Sequence, residues 1–374
     1  MCDDSALHRF NTEEEINQMV TDISSAQREL SLVCVIGAGV SISQGYPDWN
    51  HYVLELIDYW RFHLDVIVDR DDTERKEVNR EDLVFLEWLR NANYTNKRKV
   101  DLVNYVVEQY SEAVSHDKLE SKNIYSEVVN ECEHYIFLKL PPIQGRNQIL
   151  EQLVRMHTTF VTTNYDQQIE DSITRQLAQK PVRYADITEM PTSFQIDSII
   201  HIHGMPIKNV RMFVSSSTSY SDLYFGHTEL RQKFQKFFSN KKKIVFLFIG
   251  CSMEEEEVLS LLEIPGVQLV KYALMKYNSS ENSAADRFQN QKIADFYWAK
   301  RSVKFIWFGD KFSALPTFIE TLVKRVDANQ ISGTLQSEDL TWIIHLGIWD
   351  MKSHLAGLKA TFGALRILTE RRSW

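Results

Sequence analysis

Short apolar runs alternate along this chain with segments of helical period, and few folds accommodate that alternation. SLVCVIG (31–37), TTFVTTN (158–164), SIIHIHG (198–204), RMFVSSS (211–217), KIVFLFIG (243–250), VQLVKYALM (267–275) and VKFIWFG (303–309) have the length and β-branched content of buried strands. Between them ILEQLVRM, ELRQKFQKFF, DRFQNQKIADFYWAK and PTFIETLVKR repeat apolar residues at helical spacing. The expected fold is α/β, with a Rossmann-like, mainly parallel sheet covered by helices and ligands bound beyond the carboxyl ends of the strands.

The first strand is preceded by NTEEEINQMVTDISSAQREL, which predicts a helix on Ile16, Met19, Val20 and Ile23 with acidic residues at its start. After Trp49 the pattern turns wholly helical: HYVLELIDYWRFHLDVI, EDLVFLEWLRN and KVDLVNYVVEQYSEAV predict a helical subdomain inserted into the sheet domain. The resulting division is 1–50 for the N-terminal helix and first part of the Rossmann domain, 51–148 for the insertion, 149–328 for the rest of that domain, and 329–374 for a C-terminal helical extension. In that extension Trp342, Ile343, Leu346, Trp349, Leu355, Leu358, Phe362, Leu365 and Leu368 stand among polar positions. Such a surface suits an interface between copies of the chain or packing onto the chain's own core.

With 44% hydrophobic and 25% charged residues, the chain has the composition of an ordered globular protein rather than a disordered one. A formal charge of -9 disfavours a surface dedicated to nucleic acid, so direct nucleic-acid binding is not expected, and Lys241–Lys243 reads as a solubilising entrance to a strand. The acidic start and the lack of a long apolar run give the expectation of a cytoplasmic protein that crosses no membrane. Cys2, Cys34, Cys132 and Cys251 form no CxxC pair, which argues against a zinc ribbon or a disulfide framework.

Four strand ends carry the polar residues that bear chemistry. At the first, Gly37, Ala38, Gly39, Val40 and Ser41 make a small-residue turn, which permits close approach of backbone N–H groups to a pyrophosphate or merely joins strand to helix. GYPDWN follows, where Pro47, Asp48 and Trp49 form either a lid over a ligand or a core plug. TTNYD brings Thr163, Asn164 and Asp166, whose amide and carboxylate suit a ribose hydroxyl, a water or a carboxamide, or else a simple Asx turn. HIHG holds His201 and His203, residues able to exchange protons near neutrality; a metal pair is not expected, because no third ligand stands at a convincing position. FIGCS adds Gly250 and Ser252, a hydroxyl fit for phosphate or ribose. Of Glu254–Glu257 most must face water or cap a helix, one being left for a ribose, while Ser215, Ser216, Ser217 and Ser219 form a loop that either reaches a diphosphate or is only a turn.

In this order GAGVS, GYPDW, TTNYD, IHIHG and FIGCS resemble the sirtuin-like family, above all its bacterial defence-associated branch of NAD-consuming enzymes. The resemblance covers about residues 31–50 and 150–325, and that family carries a helical insertion at the same place. It implies that Asn164 and His203 are catalytic, and that Gly37, Ala38, Gly39, Val40, Ser41, Pro47, Asp48, Trp49, Thr163, Asp166, Gly250 and Ser252 bind the dinucleotide. His201 then becomes a supporting or packing residue. Lysine deacylases of the family carry a four-cysteine zinc module, absent from this sequence, and an arginine where Asn50 stands. The resemblance therefore implies an NAD glycohydrolase that releases nicotinamide and ADP-ribose in antiphage defence, with NAD as substrate and no other cofactor. It further implies a homo-oligomer, with a HerA-like hexameric ATPase as a candidate partner. A non-catalytic NAD or ADP-ribose sensor stands as the alternative.

Overall fold

A computed structural model of the chain describes residues 5–8, 10–68, 73–114, 146–191, 194–205, 213–226, 228–279 and 283–336. Of the extension expected at 329–374, residues 329–336 end a helix, Leu315–Gln336, and 337–374, with the expected interface, lie outside the described residues. Two compact units divide the chain, Met1–Val323 and Lys324–Trp374, and the whole sheet belongs to the first.

Helix α1 (Glu13–Arg28) begins where the acidic run predicts, because Thr12 and Glu15 close a reciprocal capping box. Its buried stripe includes Ile16, Met19, Val20 and Ile23. Strand β1 (Leu32–Ile36) is buried along its whole length, between β2 (Thr159–Thr162) on one side and β5 (Lys243–Ile249) on the other. With β3 (Val182–Tyr184), β4 (Ser198–His201), β6 (Gln268–Lys276) and β7 (Val303–Gly309) they make a seven-stranded sheet in the order β3-β4-β2-β1-β5-β6-β7, each neighbouring pair parallel. The chain steps to one side of β1 for β2 to β4 and to the other for β5 to β7. The reversal of winding therefore opens a crevice above the carboxyl ends of β1, β2 and β5.

The expected strand at RMFVSSS does not form in its described part: Phe213–Ser215 is irregular and Ser217–Ser221 is helical. Local hydrogen bonds override the β-branched pattern there. Val214 gives its N–H to the His203 carbonyl at 2.8 Å and accepts from the Tyr165 hydroxyl at 2.6 Å, while Ser216 and Ser219 close a capping box. Strand β3, which the apolar runs do not reveal, is a short and largely exposed edge of the sheet.

Between β1 and β2 stand three helices of the insertion, α2 (Trp49–Val68), α3 (Thr73–Asn91) and α4 (Asn96–Val114). Tyr52, Val53, Leu56, Ile57, Trp60 and Leu64 repeat at helical spacing and bury against Leu86, Leu89, Val100 and Val103 in a core of their own. Trp49 and Tyr165 pack against that core, which fixes the insertion beside the crevice.

Candidate active site

The crevice begins with a steric requirement. A Cβ on Gly37 would lie 2.6 Å from the Gly250 carbonyl oxygen, and one on Gly250, whose φ is +69°, would lie 2.6 Å from the Val40 nitrogen. The β1 and β5 turns are thus docked backbone to backbone, with Gly37 N–H bonded to the Ile249 carbonyl and Gly39 N–H to that of Gly250, both at 2.9 Å. These glycines let two strand ends meet, and two amides that a pyrophosphate would want are already engaged.

Beside them lies a cleft lined by Ala38, Ser41, Pro47, Asp48, Trp49, Thr163, Asn164, Asp166 and His203, all expected from the sequence. Gly37, Gly39, Val40, Gly250 and Ser252 are not in its lining; Val40 is buried, and Ser252 accepts from the Glu254 amide in a turn. Five further residues that the sequence reading left out or left unresolved complete the wall: Tyr46, Tyr52, Tyr165, Tyr220 and Glu255. Tyr165 stood inside the TTNYD motif, and Glu255 is the one member of the acidic run drawn into the cleft. Tyr46 stood inside GYPDWN, and Tyr52 and Tyr220 reach the cleft only through tertiary packing.

Asn164 is held from several directions. Its amide nitrogen donates to the Gly37 carbonyl at 3.2 Å and to Ser41 Oγ at 3.0 Å, and its backbone N–H to Thr162 Oγ1 at 3.0 Å. The Gly37 oxygen can only accept, so the amide orientation is fixed and Oδ1 remains as an acceptor for a ligand. Ser41 passes its own proton to Asp166 Oδ2 at 2.7 Å, and Asp166 Oδ1 receives the Gln168 amide at 3.0 Å. Burial raises the Asp166 carboxyl above the usual range, against the Ser41 and Gln168 donors that favour its charge.

The two histidines part where β4 ends. His201 is fully buried and turns inward, with Nδ1 3.0 Å from the Asn164 carbonyl and Nε2 3.0 Å from Glu170 Oε1. His203 reaches the cleft through an aromatic box, its Nε2 2.9 Å from the Tyr224 hydroxyl and its Nδ1 3.4 Å from that of Tyr220. Burial, reinforced by the nearby Lys97 ammonium, pushes the imidazole down to about 3, so His203 is neutral at physiological pH. Tyr220 donates to Glu255 at 3.1 Å and carries Lys97 Nζ 3.4 Å from its ring centre. Burial raises the Glu255 carboxyl, opposed by Lys97 and by the Tyr220 hydroxyl.

The opposite wall is aromatic. Trp49 stacks on Tyr52 with centroids 5.1 Å apart, and Tyr165 leans on both. Asp48 serves the start of α2, accepting from the His51 amide at 2.8 Å; burial alone would raise its carboxyl, but the His51 bonds hold it below the usual range. The enclosed space, about 120 Å³, falls short of the ~300–1,000 Å³ usual for small-ligand pockets. It fits one end of a dinucleotide rather than the whole. Among the described residues no group of three or more His, Cys, Asp or Glu is placed to hold a metal ion, and no helix is long and apolar enough to cross a membrane.

Residues 158–306 match the family model of the SIR2-like domain. That segment carries Asn164, Asp166, His203, Tyr220 and Glu255, and the match supports a sirtuin-like family for the chain, a family whose chemistry depends on NAD. No curated protein matches the sequence. The SIR2-like segment thus supplies most of the polar floor of the cleft, whereas Ser41, Trp49 and Tyr52 come from residues ahead of it.

Proposed function

We propose that this cleft hydrolyses the bond between nicotinamide and ribose in NAD, releasing nicotinamide and ADP-ribose. The observation that carries the reading is the meeting of the free Asn164 Oδ1, fixed by Gly37 and Ser41, with a neutral His203 in one partly enclosed space. The carbon–nitrogen bond breaks with its electron pair going to the pyridinium, which leaves as neutral nicotinamide. The ribose carbon gains positive character and is captured by water. Asn164 Oδ1 accepts a hydrogen bond from a ribose hydroxyl or from that water and orients it. His203, too weak a base in its buried state to hold a full proton, accepts a hydrogen bond from the same hydroxyl or water in place of its contact with a tyrosine hydroxyl, and the water's proton departs to solvent. Asp166 keeps lone pairs for a carboxamide N–H beyond those that serve Ser41 and Gln168. Trp49, Tyr52 and Tyr165 exclude bulk water.

Depletion of NAD in antiphage defence, by a homo-oligomer or together with a HerA-like ATPase, is the biological setting we propose. It follows from the resemblance of the motifs and from the absence of a four-cysteine module in the sequence. One observation favours the sensor instead: both nitrogens of His203 are occupied by tyrosine hydroxyls. Replacement separates the two readings. H203A is expected to remain folded by circular dichroism and to bind NAD by calorimetry while nicotinamide release falls by about 10²-fold or more; an undiminished rate would remove His203 from the mechanism.

A further inference from the structure

Read from its motif, His201 has no task beyond support or packing, yet in the fold both of its ring nitrogens meet oxygen atoms at 3.0 Å. Nδ1 meets the Asn164 main-chain carbonyl, an oxygen that can only accept, so Nδ1 carries a proton. Nε2 meets Glu170 Oε1, and a bare ring nitrogen there would set its lone pair against a carboxylate. The other charged groups near the pair include Arg183, whose Nη1 lies 4.0 Å from Glu170 Oε1, and the carboxyls of Asp166 and Asp171. Among the described residues Glu170 Oε2 is buried with no hydrogen-bond partner, so the carboxylate leans on His201 and Arg183 for its compensation.

We infer that His201 is a buried imidazolium, paired with Glu170, and that the pair is a positioning device that holds the Asn164 backbone from behind the sheet. Glu170 lies on the helix Gln168–Leu177, whose first amide is tied to Asp166, so one helix start anchors both the Asp166 carboxylate and the histidine that grips Asn164. Asn164 is consequently fixed at its side chain by Gly37 and Ser41, and at its carbonyl by His201. The inference that the pair serves turnover rests on the reading of Asn164 given above. The protonation of the pair does not.

The test uses the full chain labelled with 15N in its histidine rings, the His201 signals being identified by their loss in H201F. At pH 7 both His201 ring nitrogens are expected to show protonated shifts with slowly exchanging ring protons; one unprotonated nitrogen would overturn the ion pair. In E170Q the side-chain amide can donate to Nε2, so His201 is expected to lose one ring proton while the contact survives, and two retained protons would equally overturn the pairing. The E170Q arm stands even where H201F does not fold. For turnover, H201F is expected to lose on the order of 10²-fold in kcat with KM altered by less than about threefold. A folded H201F with wild-type kcat would end the positioning role. A wild-type protein that releases no nicotinamide would instead count against the NAD reading, and the ring shifts would still decide the pair.

Discussion

The two walls of the cleft are built by opposite means. The floor, at the carboxyl ends of β1, β2 and β4, is a closed polar network in which Asn164, Ser41, Asp166 and His201 fix one another through side-chain and backbone hydrogen bonds. The facing wall, from the start of the insertion, the loop after β2 and the helix Ser217–Ser221, is a set of rings: Trp49, Tyr52, Tyr165 and, round the corner, Tyr220. Directional hydrogen bonds fix the floor, whereas ring packing constrains the other wall mainly by shape and by exclusion of water. The floor is therefore suited to chemistry and the rings to retention. Substitutions on the floor should act on kcat, and substitutions among the rings on KM.

N164A should produce the largest effect, a loss of about 10³-fold in nicotinamide release, since it removes the acceptor that orients the ribose hydroxyl or the water. Steady-state kinetics at saturating NAD would show it, and a change confined to KM would reverse the assignment of the two walls. Next comes G250A, which places a Cβ 2.6 Å from the Val40 nitrogen on a residue with φ of +69°. It should cost about 3 kcal/mol or more of stability in urea denaturation, because neither the β1 turn nor the β5 turn can retreat without losing its partner.

A smaller effect is expected from pH. The folded-state value of His203, about 3, lies below its ordinary 6.5. Between those values the unfolded chain binds a proton that the folded chain refuses, so stability falls as pH drops from 6.5 towards 3, by at most ~1.4 kcal/mol per pH unit from this group. The slope of urea midpoint against pH should be shallower in H203F, which keeps a ring among Tyr220 and Tyr224. The mildest change is W49A: loss of its stacking on Tyr52 is worth about 1 kcal/mol, seen as a several-fold rise in KM with kcat nearly kept.

The same contrast governs what the sequence reveals. Residues of the floor sit in short stretches at strand ends, so GAGVS, TTNYD and HIHG could be placed once the apolar runs had been assigned to a parallel sheet. Asn164, Asp166, Ser41 and His203 do meet there. Glycine was legible as a need for closeness, but not as to what comes close: Gly37, Gly39 and Gly250 admit one another's backbone. Tyr52 and Tyr220 were illegible, because an aromatic residue on a helix has the same pattern whether it faces a core or a ligand, whereas Tyr46 stood in the GYPDWN loop beside Pro47. The strand expected at RMFVSSS failed for a related reason, since serine caps and the Tyr165 hydroxyl compete locally for the backbone that a strand would use.

The central claim is that the polar floor breaks NAD rather than merely holding it. The direct measurement incubates the purified full-length chain with NAD at concentrations that allow self-association, separates the products by chromatography, and measures NAD binding by calorimetry on the same sample. Nicotinamide and ADP-ribose appearing in equal amounts, and lost in N164A, is the result expected here. NAD bound stoichiometrically and recovered intact would contradict it and make the cleft a sensor.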